Sequence, residues 1–310
     1  TADSLIATIA KVKQESLDPY NEELSDEPLI SQLPEKGKIV KEEATKFDTK
    51  TWTLSNGVKV VLKNTDFKDD EISISSYSYG GISLFDDNEI FNASVVSSVV
   101  PLGGLGNFND VDLDKKLAGK SVSVSTSITG ITQGISAGSN KRDIETALQL
   151  IYLSYTAPRY DVEAFETYIE RAKNKLKNQD LLPNTSFGDS INQIMYGDNL
   201  RMKRMKLADV DSLDYDRIFA MYKECFEQGA APVFVFVGTL DEDVLRPLAE
   251  QYLATLPVGD ANRKYIDRSI RVKSGNNVVR FKKEMENPMN SVFNLHSADL
   301  DYNQKNNITL

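Results

Sequence analysis

The 310-residue chain has room for one large domain or two smaller ones, and its 40% hydrophobic and 26% charged residues are ordinary for a folded, water-exposed protein. A net charge of −10 argues against a nucleic-acid binder, which carries a basic surface. The single cysteine, Cys225, excludes a disulfide framework and a thiolate zinc site, and the single histidine, His296, excludes a His-rich metal site and any pair of catalytic imidazoles.

The chain opens on Thr1 with no charged-apolar-small leader, as a processed product or an excised piece of a longer protein would. Residues 1–45 read as a helical piece followed by an acidic connector, "NEELSDEPLISQLPEKGKIVKEEATK", which packs on something else rather than forming a domain. A folded domain, 46–257, begins at "TWTLSNGVKVVLK". There Asn56-Gly57 between two apolar runs signals a hairpin, because both residues tolerate positive φ. "EISISSYSYGG" is a further strand, with Ile72 and Ile74 on one face. "NASVVSSVV" follows as an apolar helix whose Ser94, Ser97 and Ser98 fall at i, i+3 and i+4, on one side. After "PLGGLGNF" and a short charged helix, "SVSVSTSITG" and "ITQGISAG" form an antiparallel pair.

A helix is expected from about Asn140, capped by Ser139 or Asn140, with Ile144, Leu148, Ile151 and Tyr155 at helical spacing. Pro158 separates it from "DVEAFETYIERAKNKLKNQ", acidic early and basic late as the helix dipole favours. "TSFGDSINQIMYG" and "DYDRIFAMYKECFEQG" are two more helices, "PVFVFVG" a buried central strand, and "DEDVLRPLAEQYLATLP" a helix stopped by Pro257. Residues 258–276 are polar and punctuated, an inter-domain linker. Residues 277–310 then start a second, similar domain: strands at "NNVVRFKK" and "NSVFNLHSADL", where Val292, Asn294, His296 and Ala298 share a face, and helical turns at "DYNQKNNITL". Two strands and part of a helix cannot close a core. The class is α+β, a mostly antiparallel sheet with helices on one face, followed by the start of a similar domain.

Several motifs invite a functional reading and have a simpler one. "GGLGNFN" (Gly103 to Asn109) fails the G-x-G-x-x-G dinucleotide pattern at Asn109 and follows a helix rather than a strand. "DVDSLDYD" lacks the glycine and the glutamate of a calcium loop, and reads as an acidic cluster capping the next helix. "RMKRMK" (Arg201 to Lys206) is a solvated basic loop or a contact for an anion or peptide carboxylate. Asp69, Asp70 and Glu71 form a solvated acidic turn, His296 an ordinary strand histidine. No Ser-His-Asp or Cys-His set assembles from one late histidine, so no catalytic residue and no metal ligand is assigned.

Taken together, "LSNGVKVVL", "ISISSYSYGG", the "DVDSLDYDRIFAMYKECF" helix and "FVFVGTLDEDVLRPLAEQYLATLP" resemble the insulinase/pitrilysin family of zinc metallopeptidases, over about Thr51 to Leu310. The resemblance implies four similar α+β domains, arranged as two halves around a peptide chamber. Active domains of the family carry a His-x-x-Glu-His helix after the second strand and its glycine. Its histidines and a downstream glutamate hold zinc, and its internal glutamate is the general base. Laying Gly81 and Gly103 on the family's flanking glycines puts Ser94, Ser97 and Ser98 on the His, Glu and His positions, as a degenerate zinc motif and a part of the chamber wall. The third ligand falls near Glu170 or Lys173.

The resemblance therefore implies the non-catalytic second half of a pitrilysin-like zinc endopeptidase. This chain would hold no cofactor, zinc being held by the catalytic half. Its partners would be that half, on the same polypeptide or as a separate subunit, and an unfolded peptide. Nucleic acid and a transmembrane span are not expected. The alternative is an inactive scaffold or protein-binding subunit of the same fold. The resemblance favours a periplasmic or membrane-associated protein, with the cytoplasm left open.

Overall fold

The computed structural model describes residues 6, 26–179, 181–260, 262–280, 282, 290–296 and 303. Among the described residues seven strands form one sheet: β1 Ile39–Thr45, β2 Thr49–Leu54, β3 Lys59–Asn64, β4 Ile72–Tyr79, β5 Val122–Ile128, β6 Thr132–Ser139 and β7 Val233–Gly238. Their order is β1-β2-β3-β7-β4-β6-β5. Only β3 and β7 pair in parallel; every other neighbouring pair is antiparallel. The sheet is thus mostly antiparallel, with the "PVFVFVG" run at its centre.

The β2–β3 hairpin shows how the local sequence sets this geometry. The Gly57 N–H closes the turn on the Leu54 carbonyl at 2.9 Å, and Gly57 sits at φ 87°, where a side chain would be strained. Asn56 does something the hairpin signal does not predict. Its amide donates to the carbonyls of Leu253 and Leu256 at 2.9 and 3.0 Å, fastening the turn to the end of the last helix.

The helices are α1 Ile90–Val99, α2 Asp110–Leu117, α3 Ile144–Thr156, α4 Val162–Gln179, α5 Pro183–Tyr196, α6 Leu207–Val210, α7 Tyr215–Phe226 and α8 Glu242–Leu248. The last contains Pro247 and widens beyond it into a π turn over Ala249–Leu253. One face of the sheet supplies Trp52, Leu54, Val60, Leu62, Ile72, Ile74, Phe234 and Phe236 to the core. Against it lie Val96 and Val99 of α1, Leu148 and Ile151 of α3, Ile218 and Met221 of α7, and Leu245 of α8. Burying each large apolar side chain here contributes about 1.5–3 kcal/mol. This is the α+β arrangement expected, helices on one face.

The other face carries different chemistry. Pairing registers define a row across all seven strands, Glu43, Thr51, Val61, Val235, Ser75, Ser136 and Ser125. Ser75, Ser136 and Ser125 are exposed, as are Tyr77 and Tyr79.

The structure departs from expectation at both ends of the domain. The segment 1–45, read as connector, contains the first strand. "IVKEEAT" has no apolar alternation, because β1 is an edge strand exposed nearly throughout and is specified by pairing with β2. Apart from Ile6, the helical piece expected before it lies outside the described residues. At the other end, 276–280 and 290–296 form no strands, and Val292 is 84% exposed. An isolated strand gains nothing without a ladder partner or a face to bury, so alternation alone does not make one. His296 accordingly sits exposed and outside any strand, and the helical turns expected at "DYNQKNNITL" lie outside the described residues apart from Asn303. The helix expected from Asn140 begins at Ile144, although the Asn140 side chain does accept the Asp143 N–H at 2.7 Å.

Candidate functional site

The entry to α1 is assembled from the end of β4. Gly80 and Gly81 both take positive φ, and the chain leaves the sheet through 3-10 turns at Gly81–Leu84 and Asp87–Glu89. A Cβ on Gly81 would stand 2.4 Å from the Thr129 carbonyl, so only glycine permits this exit. The Gly81 N–H is met by the buried Gln133 side chain at 2.7 Å.

Within α1, Ala93, Val95, Val96 and Val99 are buried. Ser94 and Ser98 are exposed and Ser97 is half-buried. Spacing i, i+3, i+4 has thus put the three hydroxyls on the helix side away from the core. The Ser94 hydroxyl donates back to the Phe91 carbonyl at 2.8 Å. The Ser97 hydroxyl accepts the Ile128 N–H at 2.9 Å and so pins the end of β5, an edge strand. Zinc selects imidazole, thiolate and carboxylate donors. Three neutral hydroxyls do not fit it, and among the described residues no group of three or more His, Cys, Asp or Glu stands together.

Glu170 and Lys173 lie on α4. Lys173 pairs with Asp211 at 2.9 Å, which raises the lysine pKa through that hydrogen bond. Glu170 lines a cleft of about 450 Å³ with Glu166, Ile169, Val210 and Asp211, none of them from α1. That cleft does not include the three serines.

The remaining motifs have structural employment. A Cβ on Gly103 would stand 2.2 Å from the Arg159 carbonyl, so "GGLGNFN" is glycine-rich for close packing, and its Asn109 caps α2. Asp214 caps α7 by accepting the Arg217 N–H at 3.2 Å, as the acidic cluster suggested. Asp70 accepts the Lys141 N–H at 2.9 Å. The Cys225 thiol is buried, which pushes its pKa up to about 12 and leaves it unreactive. Burial likewise pushes the phenols of Tyr155 and Tyr222 well above the usual range.

Two arginines whose structural role the sequence does not reveal define the site's surroundings. Arg201, in the stretch read as a solvated basic loop or a contact for an anion or peptide carboxylate, has a side chain only 5% exposed. Its guanidinium donates to Asp87 at 2.6 Å, to the Ile82 carbonyl at 3.2 Å and to the Phe85 carbonyl. Arg268, in the expected linker, donates to the Ser83 carbonyl at 2.7 Å and the Phe85 carbonyl at 2.8 Å. Its neighbours continue the contact. Arg263 donates to the Glu224 and Gln228 carbonyls at 2.9 and 2.8 Å, and the Ile266 N–H to Ser83 Oγ at 2.9 Å. The Lys273 N–H reaches the Met195 carbonyl at 2.8 Å. Residues 263–273 therefore run as a strap from the end of α7, over the entry to α1, to the end of α5. A third arginine, Arg217, is held by Glu89 at 2.5 Å, and its hydrogen bond keeps the Glu89 carboxyl below its ordinary range. Such carbonyl-directed arginines are found only once the chain is folded, since nothing in their neighbourhood marks the acceptors.

Among the described residues no helix is long and apolar enough to cross a membrane. No family model matches the chain. It is similar to a PqqL-like zinc protease from Arabidopsis thaliana, 26% identical over 263 residues, which cover 83% of this chain and 25% of that protein. In fold it matches the periplasmic protease PqqL from Escherichia coli, with a TM-score of 0.69 and 21% identity over 86% of this chain and 30% of the other. It also matches a peptidase M16 inactive domain from Pseudomonas fluorescens, with a TM-score of 0.59 and 16% identity over 71% of this chain and 53% of the other. The chain spans about a quarter of the length of the curated relatives it matches. The chain is thus similar in sequence to zinc proteases over most of its length and shares its sheet-and-helix fold with M16 peptidases, which supports the insulinase/pitrilysin-like resemblance.

Proposed function

We propose that the chain belongs to the non-catalytic second half of a zinc-dependent endopeptidase, where it forms part of the wall of a peptide-binding chamber. On this reading 1–45 is the inter-half connector, running into the sheet at Ile39. Residues 46–257 are the peptidase-like domain, 258–276 the linker, and 277–310 the opening of the next domain. Zinc and hydrolysis belong to the other half.

The observation that carries the reading is the helix α1, which presents Ser94, Ser97 and Ser98 outward in a chain related to zinc proteases. Side chains that neither ligate zinc nor act as a general base leave this domain binding and shaping, with no chemistry of its own. The open sheet face and the free edge of β5 offer hydrogen-bonding surface to an extended peptide. The E. coli protease is described as periplasmic, and we place this protein in the same kind of compartment.

The test is complementation. The purified chain is added to a candidate catalytic half carrying His-x-x-Glu-His, and cleavage of an unstructured peptide is followed. A clear rise in cleavage, together with stable association, is the expected result. No association and no gain would favour the scaffold alternative. Turnover or stoichiometric zinc in the isolated chain would overturn the assignment altogether.

A further inference from the structure

We infer that the cleft between α5 and the Leu200–Lys206 loop is a binding site for a peptide carboxylate that has an apolar residue beside it. The inference rests on the reading of this chain as a peptide-binding wall, and names one feature of the peptide that the wall takes.

The cleft encloses about 340 Å³, within the range of sites that hold small ligands. Phe91 at the start of α1, Leu200 and Met202 give it an apolar lining, while Asn192 and Gln193 of α5 supply side-chain amides that can donate to an anion. Its basic stretch is divided by residue type. Arg201 and Arg204 are committed inward, Arg201 to Asp87 and backbone carbonyls, Arg204 to both oxygens of Asp189 at 3.2 and 2.9 Å. Lys203 and Lys206 are exposed at the cleft. The planar forks build the wall, and the point charges are left at its lip.

The carboxylates near the lysines are engaged by other groups or hold them weakly. Asp189 is engaged by Arg204, and Asp209 accepts the Lys206 N–H at 2.7 Å as part of the α6 cap. Lys203 reaches Asp198 at 3.2 Å, but that aspartate is 87% exposed, so the pair is weak. Among the described residues Lys206 has no carboxylate within ion-pair distance. A third lysine stands close by, since a methyl on Gly197 would come within 3.0 Å of Lys273 Nζ. In a chain of net charge −10 this is a local concentration of loosely held positive charge beside apolar surface and amides. A carboxylate flanked by an apolar residue matches all three, whereas a bare inorganic anion leaves the apolar lining unused. The carboxylate is supplied by a peptide's C-terminus or by an acidic side chain.

Fluorescence anisotropy on the 310-residue chain distinguishes these sources. Three labelled decapeptides are compared at low salt: one ending in leucine with a free carboxylate, its C-terminal amide, and an amide with an internal glutamate. The free acid should bind roughly five- to tenfold tighter than its amide, a preference that about 0.5 M salt abolishes. The preference should disappear in Lys203→Gln/Lys206→Gln, whose melting midpoint should match wild type because both side chains are exposed. If the glutamate peptide binds as tightly as the free acid, the site takes side-chain carboxylates as well. Equal affinity for all three peptides overturns the inference and leaves the peptide-wall reading standing. A preference that survives the double substitution, in a folded variant, overturns the location. Binding of none of the peptides overturns both.

Discussion

Along β7, Phe234 and Phe236 are buried, while Val233 and Val235 are half-buried and Val237 is exposed. Neighbouring residues on one strand thus serve opposite faces of the sheet. The covered face holds Trp52, Ile74 and both phenylalanines against four helices; the open face holds serines, threonines, valines and the tyrosines of β4. Stability is concentrated on the first face. The second is left free to meet something else, and its mutations should register in binding rather than in folding.

Substitutions on the two faces test this contrast directly. Phe234→Ala should cost about 3–5 kcal/mol in urea unfolding, because it opens a cavity under the central strand. Val235→Ala, one residue away, should cost less than about 1 kcal/mol. Equal losses would mean that the open face is packed against part of the chain. Next in size is Arg201→Ala, expected to cost about 1.5–3 kcal/mol by removing the charge-assisted hydrogen bonds to Asp87 and to the Ile82 and Phe85 carbonyls, which keep only the Phe85 N–H and Arg268 as donors. Amide exchange should rise over 82–90, whereas Lys203→Ala in the same loop should change neither quantity measurably. Exchange confined to the Arg201 loop itself would show that the arginine does not brace α1.

Within α1 the same contrast recurs at smaller scale. Ser97→Ala removes the acceptor for the Ile128 N–H and should cost about 1 kcal/mol, while Ser98→Ala should be neutral. A neutral Ser97→Ala would place the end of β5 under the control of its β6 pairing alone. The last effect shows only in acid. The Asp143 carboxyl is held at about 2, against an ordinary 3.8, chiefly by its hydrogen bond from Arg142 and then by the Ser121 N–H. A depressed carboxylate stabilises the fold above its unfolded value and loses that contribution as pH falls through its folded value. The gap in melting midpoint between wild type and Asp143→Asn should therefore be present above about pH 4 and close toward pH 2. A gap that is flat with pH would assign the role of Asp143 to shape rather than charge.

Much of this was legible in the chain itself. Alternation in "ISISSYSY" and "KVVLKN", a continuous apolar run at β7, and Asn-Gly at the hairpin are signals written by local backbone preference and one-sided burial. Ser94, Ser97 and Ser98 were likewise readable as one side of a helix. What local pattern could not supply depends on partners. β1 is charged on both faces and exists because β2 is beside it. Val292, Asn294 and His296 alternate correctly and form no strand, because among the described residues nothing pairs with them. Arg201 and Arg268 look like solvated cations until distant carbonyls arrive beneath them.

The parallel pairing of β3 with β7 joins residues 59–64 to 233–238 across almost the whole domain. During synthesis the sheet is therefore made in two separate pieces, β1-β2-β3 and β4-β6-β5, and neither can be joined to the other until its central strand emerges. At typical elongation rates that delay is on the order of ten seconds or more. For that interval β3 and β4 both present bare, apolar-sided edges, the kind that pair with a neighbouring chain. The strand that completes the core is also the one that keeps nascent copies of this protein from joining one another.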